Sequence, residues 1–153
     1  MPKEAQQIAA LPMRWRGDKV EVLMVTSRDT GRWVVPKGWT MKGVKPWTAA
    51  AQEALEEAGA KGDIAREVFG VFHYDKVMDD GSTQRCRVRV YPMIVEDLKK
   101  SWKEEDARKR RWFAPREAAK RVDEAELADL LDMLGSKPTK APVAGPLLKR
   151  AAS

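Results

Sequence analysis

The sequence predicts an α/β (α+β) fold built on one mixed sheet, and three observations lead there. Apolar residues alternate with a period of two near the start and in the middle of the chain, as strands require. One strongly helical run, PWTAAAQEALEEA, interrupts the strands, and two further helical runs follow the last of them. The alternation of strands and helices is too irregular for a doubly wound fold. The chain has 153 residues, 43% of them hydrophobic, enough for one domain with a buried core, placed at 1–135.

Residues 6–16 read as a strand, and Gly17-Asp18 as a hairpin turn into a second strand, KVEVLMVTS. There Val20, Val22 and Met24 fall on one face and Leu23 and Val25 on the other, so the strand is expected to be central and covered on both sides. RWVV at 32–35 is a short strand ending at Pro36, and a loop then leads to the helix from about Pro46 to Ala58, stopped by Gly59. Strands return at 64–75 and 84–95. A short one at 110–113 precedes helices near 115–121 and 124–134. The stretch 136–153 is rich in Pro, Gly and small residues and reads as a flexible basic tail, with Leu147 and Leu148 at most resting on the domain.

The net charge of +6 suggests an anionic partner, but its distribution narrows the choice. Four of the 29 Lys and Arg lie beyond Gly135, where no acid stands, leaving 25 cations against 23 acids in the domain. No nucleic-acid motif accompanies that small excess, so a nucleic-acid partner is not expected. The apolar runs are too short to span a membrane, the N-terminus lacks an apolar leader, and the single cysteine, Cys86, excludes a disulfide framework. A soluble cytoplasmic protein is expected.

The helix carries the most specific signal. At 100° per residue Glu53, Glu56 and Glu57 share an arc of about 100°, with Trp47, Ala51, Ala54, Leu55 and Ala58 on the opposite side as the anchoring stripe. Ala49 and Ala50 fall on the acidic face and leave room for a ligand. Three convergent carboxylates repel one another, and a hard divalent cation, Mg²⁺ or Mn²⁺, relieves the repulsion. A solvated acidic face is the alternative reading.

Gly38, Glu53, Glu56, Glu57 and Gly59 stand at the spacing of Gly-x5-Glu-x7-Arg-Glu-U-x-Glu-Glu-x-Gly-U, with U a bulky aliphatic residue. The segment therefore resembles the Nudix box. Val44 replaces its first Glu and Gln52 its Arg. In the family these two residues form a tie between loop and helix, so the paired loss leaves no orphan charge. The resemblance implies an α/β/α sandwich with a loop–helix–loop site and a Mg²⁺-dependent pyrophosphohydrolase. Glu53, Glu56, Glu57 and the Gly38 carbonyl would hold the metal, and Glu53 or Glu56 would act as base. Beside this enzyme stands a second reading, a weakened module that binds a nucleotide or polyphosphate without turnover.

For the phosphates, Arg85 and Arg87 (with Arg89) lie on one face of QRCRVRVY, and RKRRWF adds Arg108, Lys109, Arg110 and Arg111. RWVVP, EEAGAKG, GVF and Trp102 followed by RKRRWF are similar to the diphosphoinositol polyphosphate phosphohydrolase branch of the family. That branch cleaves diphosphoinositol and dinucleoside polyphosphates. On its pattern Arg28, Arg85, Arg87 and Arg110 match basic positions, whereas Lys37 and Trp39 flank Gly38 in place of a glycine-rich loop. Lys37 joins the phosphate-binding set, and Trp39 is placed to stack on a base. His73 reads as an edge or packing residue, and Cys86 as an inert core thiol.

Overall fold

A computed structural model describes residues 3–152. Residues 1, 2 and 153, the ends of the expected domain and tail, lie outside the described residues. In chain order the elements begin with strands β1 (Ala5–Arg16), β2 (Lys19–Thr26), β3 (Trp33–Val34) and β4 (Lys37–Trp39) and helix α1 (Pro46–Ala58). Strands β5 (Ala60–Ile64), β6 (Gly70–Val77), β7 (Thr83–Leu98) and β8 (Arg110–Phe113) follow. Helices α2 (Pro115–Arg121), α3 (Ala125–Ser136) and α4 (Ala144–Ala152) end the chain, with a single 3-10 turn at Pro138–Lys140 before α4.

The sheet is mixed, with the order β3-β2-β1-β7-β5, β4 beside β1, β6 beside β7 and β8 beside β2. Its centre is the parallel pair β1 and β7, in register from Ala5 opposite Cys86 to Met13 opposite Ile94. The other pairings are antiparallel. One face packs Ile8, Ala10, Leu23, Val25 and Met93 against the alanines of α1. The other packs Leu11, Met13, Met24, Phe72 and Val88 against Leu127, Leu131 and Leu134 of α3 and Leu147 and Leu148 of α4. Helices thus cover both faces, and β2 is buried on both, as its pattern predicts. Among the described residues no helix is long and apolar enough to cross a membrane.

Three details depart from the sequence reading. The loop after Pro36 contains β4, three residues that add to β1 through Ile8 opposite Gly38. The strand expected at 64–75 is two strands, β5 and β6, both paired with β7. The third concerns the stretch read as a flexible tail, which is folded. Ala144, Leu147 and Leu148 are buried, and Trp15 donates its indole N–H to the Leu148 carbonyl at 2.9 Å. Pro and Gly lower local helix propensity, but burial of two leucines on the sheet overrides it.

Candidate functional site

Helix α1 starts with Pro46 in its first turn and ends at Gly59, whose left-handed backbone (φ 66°) lets its N–H return to the Ala54 and Leu55 carbonyls. The helix is rotated from the expected orientation. Ala49 and Ala50, placed by the sequence on the ligand side, are fully buried, and Leu55, placed on the anchor, is exposed. Alanines let the helix lie close on the sheet, and the buried line continues through Ala54 to Glu57, only 4% exposed.

The three glutamates therefore separate. Glu53 and Glu57 turn together into a cleft of about 260 Å³ at the end of the sheet. Glu56 lies on the outer side, accepting from Gln52 at 2.9 Å and Lys103 at 3.4 Å, which holds its carboxyl below the usual range. Among the described residues no group of three Asp, Glu, His or Cys side chains is arranged around a metal-sized point; Glu53 and Glu57 line the cleft and Glu56 does not. Glycine at position 38 makes the pair possible, because Glu53 folds directly over β4 at that residue.

Burial raises the pKa of both carboxyls; nearby carboxylates add to the rise, Glu56 and Glu104 at Glu53 and Glu53 itself at Glu57. Glu57, the more buried of the two, is pushed up to about 8. Two charges oppose the rise: Arg108, whose Nη2 lies 3.6 Å from Oε2, and Lys37. The Lys37 backbone N–H also donates to Glu57 Oε1 at 3.3 Å.

The segment between β7 and β8 supplies the facing wall. Arg108 donates to Glu104 at 2.8 Å and to the Thr26 carbonyl at 3.0 Å, so its guanidinium is locked between β2 and the glutamates. Arg28 stands exposed at the rim, 3.9 Å from Glu104. Lys37 lies 4.9 Å over the Tyr74 ring, its pKa lowered by burial, and Lys76, Gln7 and Trp39 complete the lining. Trp39 is 42% exposed, a bare indole face on the cleft.

Of the residues singled out in the sequence, Gly38, Glu53, Glu57, Lys37, Arg28 and Trp39 meet at this cleft, whereas Glu56, Arg85, Arg87 and Arg110 do not line it. Arg85 pairs with Asp75 and Arg87 reaches Gln6, each at 3.5 Å. Arg110 donates to the Ala58 carbonyl at 2.8 Å and stacks 3.8 Å over Trp102, capping α1 from behind. The sequence reading missed Glu104 and the role of Arg108. Their i, i+4 spacing in a highly charged segment was the available signal. His73 sits on the edge strand β6 between Glu4 and Glu126, at 3.1 and 3.0 Å.

A mixed sheet between helices, with a glutamate-bearing helix closed by glycine and a cation-walled cleft beside it, defines a family as well as a fold. Residues 6–134 match the NUDIX domain, and the chain belongs to the Nudix family. It is 34% identical over 134 residues to diphosphoinositol polyphosphate phosphohydrolase 3-alpha of Mus musculus, covering 82% of this chain and 77% of that protein. To diphosphoinositol polyphosphate phosphohydrolase 3-beta of Homo sapiens it is 37% identical over 103 residues, 65% of this chain. The match spans 58% of the human protein's length. Among solved structures, a binary complex of a C. elegans Ap4A hydrolase shares the fold with a TM-score of 0.64 at 23% identity, covering 84% of this chain and 93% of that one.

Proposed function

We propose that the protein hydrolyses a phosphoric anhydride in a small polyphosphorylated substrate, a dinucleoside polyphosphate or a diphosphoinositol polyphosphate, with water attacking phosphorus. The observation that carries this reading is the Glu53–Glu57 pair, turned together into a cleft walled by Arg28, Lys37, Lys76 and Arg108. Two desolvated carboxyls in contact form a donor set that suits a hard cation, Mg²⁺ or Mn²⁺. Bound there, such a cation supplies charge neutralisation at the phosphoryl group and acidifies water.

The chain's own residues supply the rest. Glu53 and Glu57 hold the cation, and Gly38 keeps the floor open beneath Glu53. Arg108, Lys37 and Lys76 offset phosphate charge from fixed or partly buried positions, where such contacts are strongest. Glu104, oriented by Arg108, is the carboxylate left to accept a proton from the attacking water. Trp39 offers a platform for a base. The names of the similar proteins support both substrate classes.

A second reading, binding without turnover, draws on Glu56, which Gln52 and Lys103 tie away from the cleft. One experiment separates the two. With Mg²⁺ present, the protein is incubated with dinucleoside polyphosphates, diphosphoinositol polyphosphates and nucleoside triphosphates, beside Glu57→Gln. Turnover that the substitution abolishes supports the enzyme. Binding with no turnover across the panel overturns it in favour of the module.

A further inference from the structure

We infer that Trp102 is a positioning residue for Glu57, and that the segment 99–110 clamps the C-terminal end of α1. The last carbonyls of a helix have no partners within it. Here four consecutive carbonyls, from residue 56 to residue 59, each receive a donor from this one segment. The Glu104 N–H reaches the Glu56 carbonyl at 3.0 Å, and the Lys99 N–H reaches that of Gly59 at 2.8 Å. Between them, the Trp102 indole N–H donates to the Glu57 carbonyl at 3.0 Å and Arg110 to that of Ala58 at 2.8 Å.

The two side-chain donors brace each other, with the Arg110 guanidinium 3.8 Å over the Trp102 ring. Glycine at 59 has a second reason to be there. A β-carbon would lie 2.8 Å from Arg110 Nη1 and 3.1 Å from Trp102 Cβ and Cγ, so any larger residue would push the stack off the helix end. Of the four donors, Trp102 alone fixes the backbone of the residue whose side chain forms the buried half of the carboxyl pair. The same segment delivers Glu104 and Arg108 to the cleft, so the clamp sets the distance between the helix wall and the loop wall. Arg110, expected from the sequence to meet phosphate, acts on the helix instead.

The inference rests on Glu53 and Glu57 holding a divalent cation. Its test is Trp102→Phe in the full chain, which keeps an aromatic ring for Arg110 to stack on and removes the N–H together with part of the indole. Mg²⁺ binding is measured by calorimetry, and kcat and KM on a dinucleoside polyphosphate by steady-state kinetics. The Mg²⁺ Kd is expected to rise about tenfold, the lower end of what loss of a ligand's supporting bond produces. The fall should appear in kcat, with KM within about twofold, because Arg28, Lys37 and Lys76 are untouched. A lowered Tm with unchanged Mg²⁺ affinity means a merely structural role and overturns the inference while the functional reading stands. Wild-type protein that neither binds Mg²⁺ nor turns over any substrate overturns both. If Trp102→Phe does not fold, Arg110→Met loosens the same stack from its other side, and an unchanged Mg²⁺ Kd there is equally fatal.

Discussion

The carboxyl carbon of Glu53 stands 2.5 Å from where a β-carbon on Gly38 would lie. The demand for glycine at that point is thus a demand of the neighbouring helix, since nothing in the strand itself requires it. In Gly38→Ala the flexible end of Glu53 yields before the backbone does. Mg²⁺ affinity is expected to fall at least about tenfold, with about 1–3 kcal/mol lost to overpacking. Calorimetric titration and thermal denaturation of the variant measure the two effects separately.

Glu57 makes the stability of the cation-free protein depend on pH. Its carboxyl is raised from 4.5 to about 8 in the folded state, so the folded chain holds a proton that the unfolded chain has released. Stability from this group is greatest below pH 4.5, falls as pH rises towards 8 and is level above that. The loss is a few kcal/mol at most, at about 1.4 kcal/mol per pKa unit. Urea denaturation from pH 5 to 8.5 should show this decline in the wild type and a flatter profile in Glu57→Gln. Added Mg²⁺ should stabilise the wild type more at pH 8 than at pH 6. Equal stabilisation at both would show that no proton is displaced.

Arg108 and the arginines of β7 should differ sharply in kinetics. Arg108 is fixed by Glu104 and Thr26 beside the carboxyl pair, so Arg108→Met is expected to lower kcat/KM about 100-fold or more. Arg85→Met and Arg87→Met should each stay within about threefold, because neither side chain lines the cleft. Steady-state measurements with one polyphosphate substrate decide it. A large effect at Arg87 would restore the phosphate path read from the sequence.

Leu148 tests the folded C-terminal helix. It is fully buried, and Leu148→Ala should cost about 2–5 kcal/mol in chemical denaturation. Mg²⁺ affinity should be unchanged, since α4 packs on the face of the sheet opposite α1.

What the sequence made legible follows the strength of its local signals. The helix at Pro46–Ala58 has proline at its start, glycine at its end and a spaced glutamate set, and it lies where those signals put it. Its rotation is not readable, because the small alanines at 49 and 50 settle on the sheet beside Ala54 and Ala58 while Leu55, the one leucine of the expected stripe, turns outward. Helical angle and box spacing group Glu56 with Glu53 and Glu57, but neither records that Gln52 and Lys103 hold it on the outer side. Arg110 and Arg108 are two residues apart in a run of cations. Only the register of β8 against β2, Val25 opposite Arg110, sends one behind the helix and leaves the other at the cleft. Leu147 and Leu148 lay among prolines and glycines, where a partner surface 130 residues away in sequence determined the outcome.

The parallel pairing at the centre of the sheet has a kinetic consequence. Ala5 finds its neighbour at Cys86 and Met13 at Ile94, so the partners in the two strands that hold the sheet together lie about half the chain apart. The β1–β2 hairpin can close early through a two-residue turn, but its other edge has no partner until the β7 region has been synthesised. That late docking of β7 is expected to set the refolding rate, and until it occurs Ile8, Ala10 and Leu11 present an open, apolar strand edge to neighbouring chains.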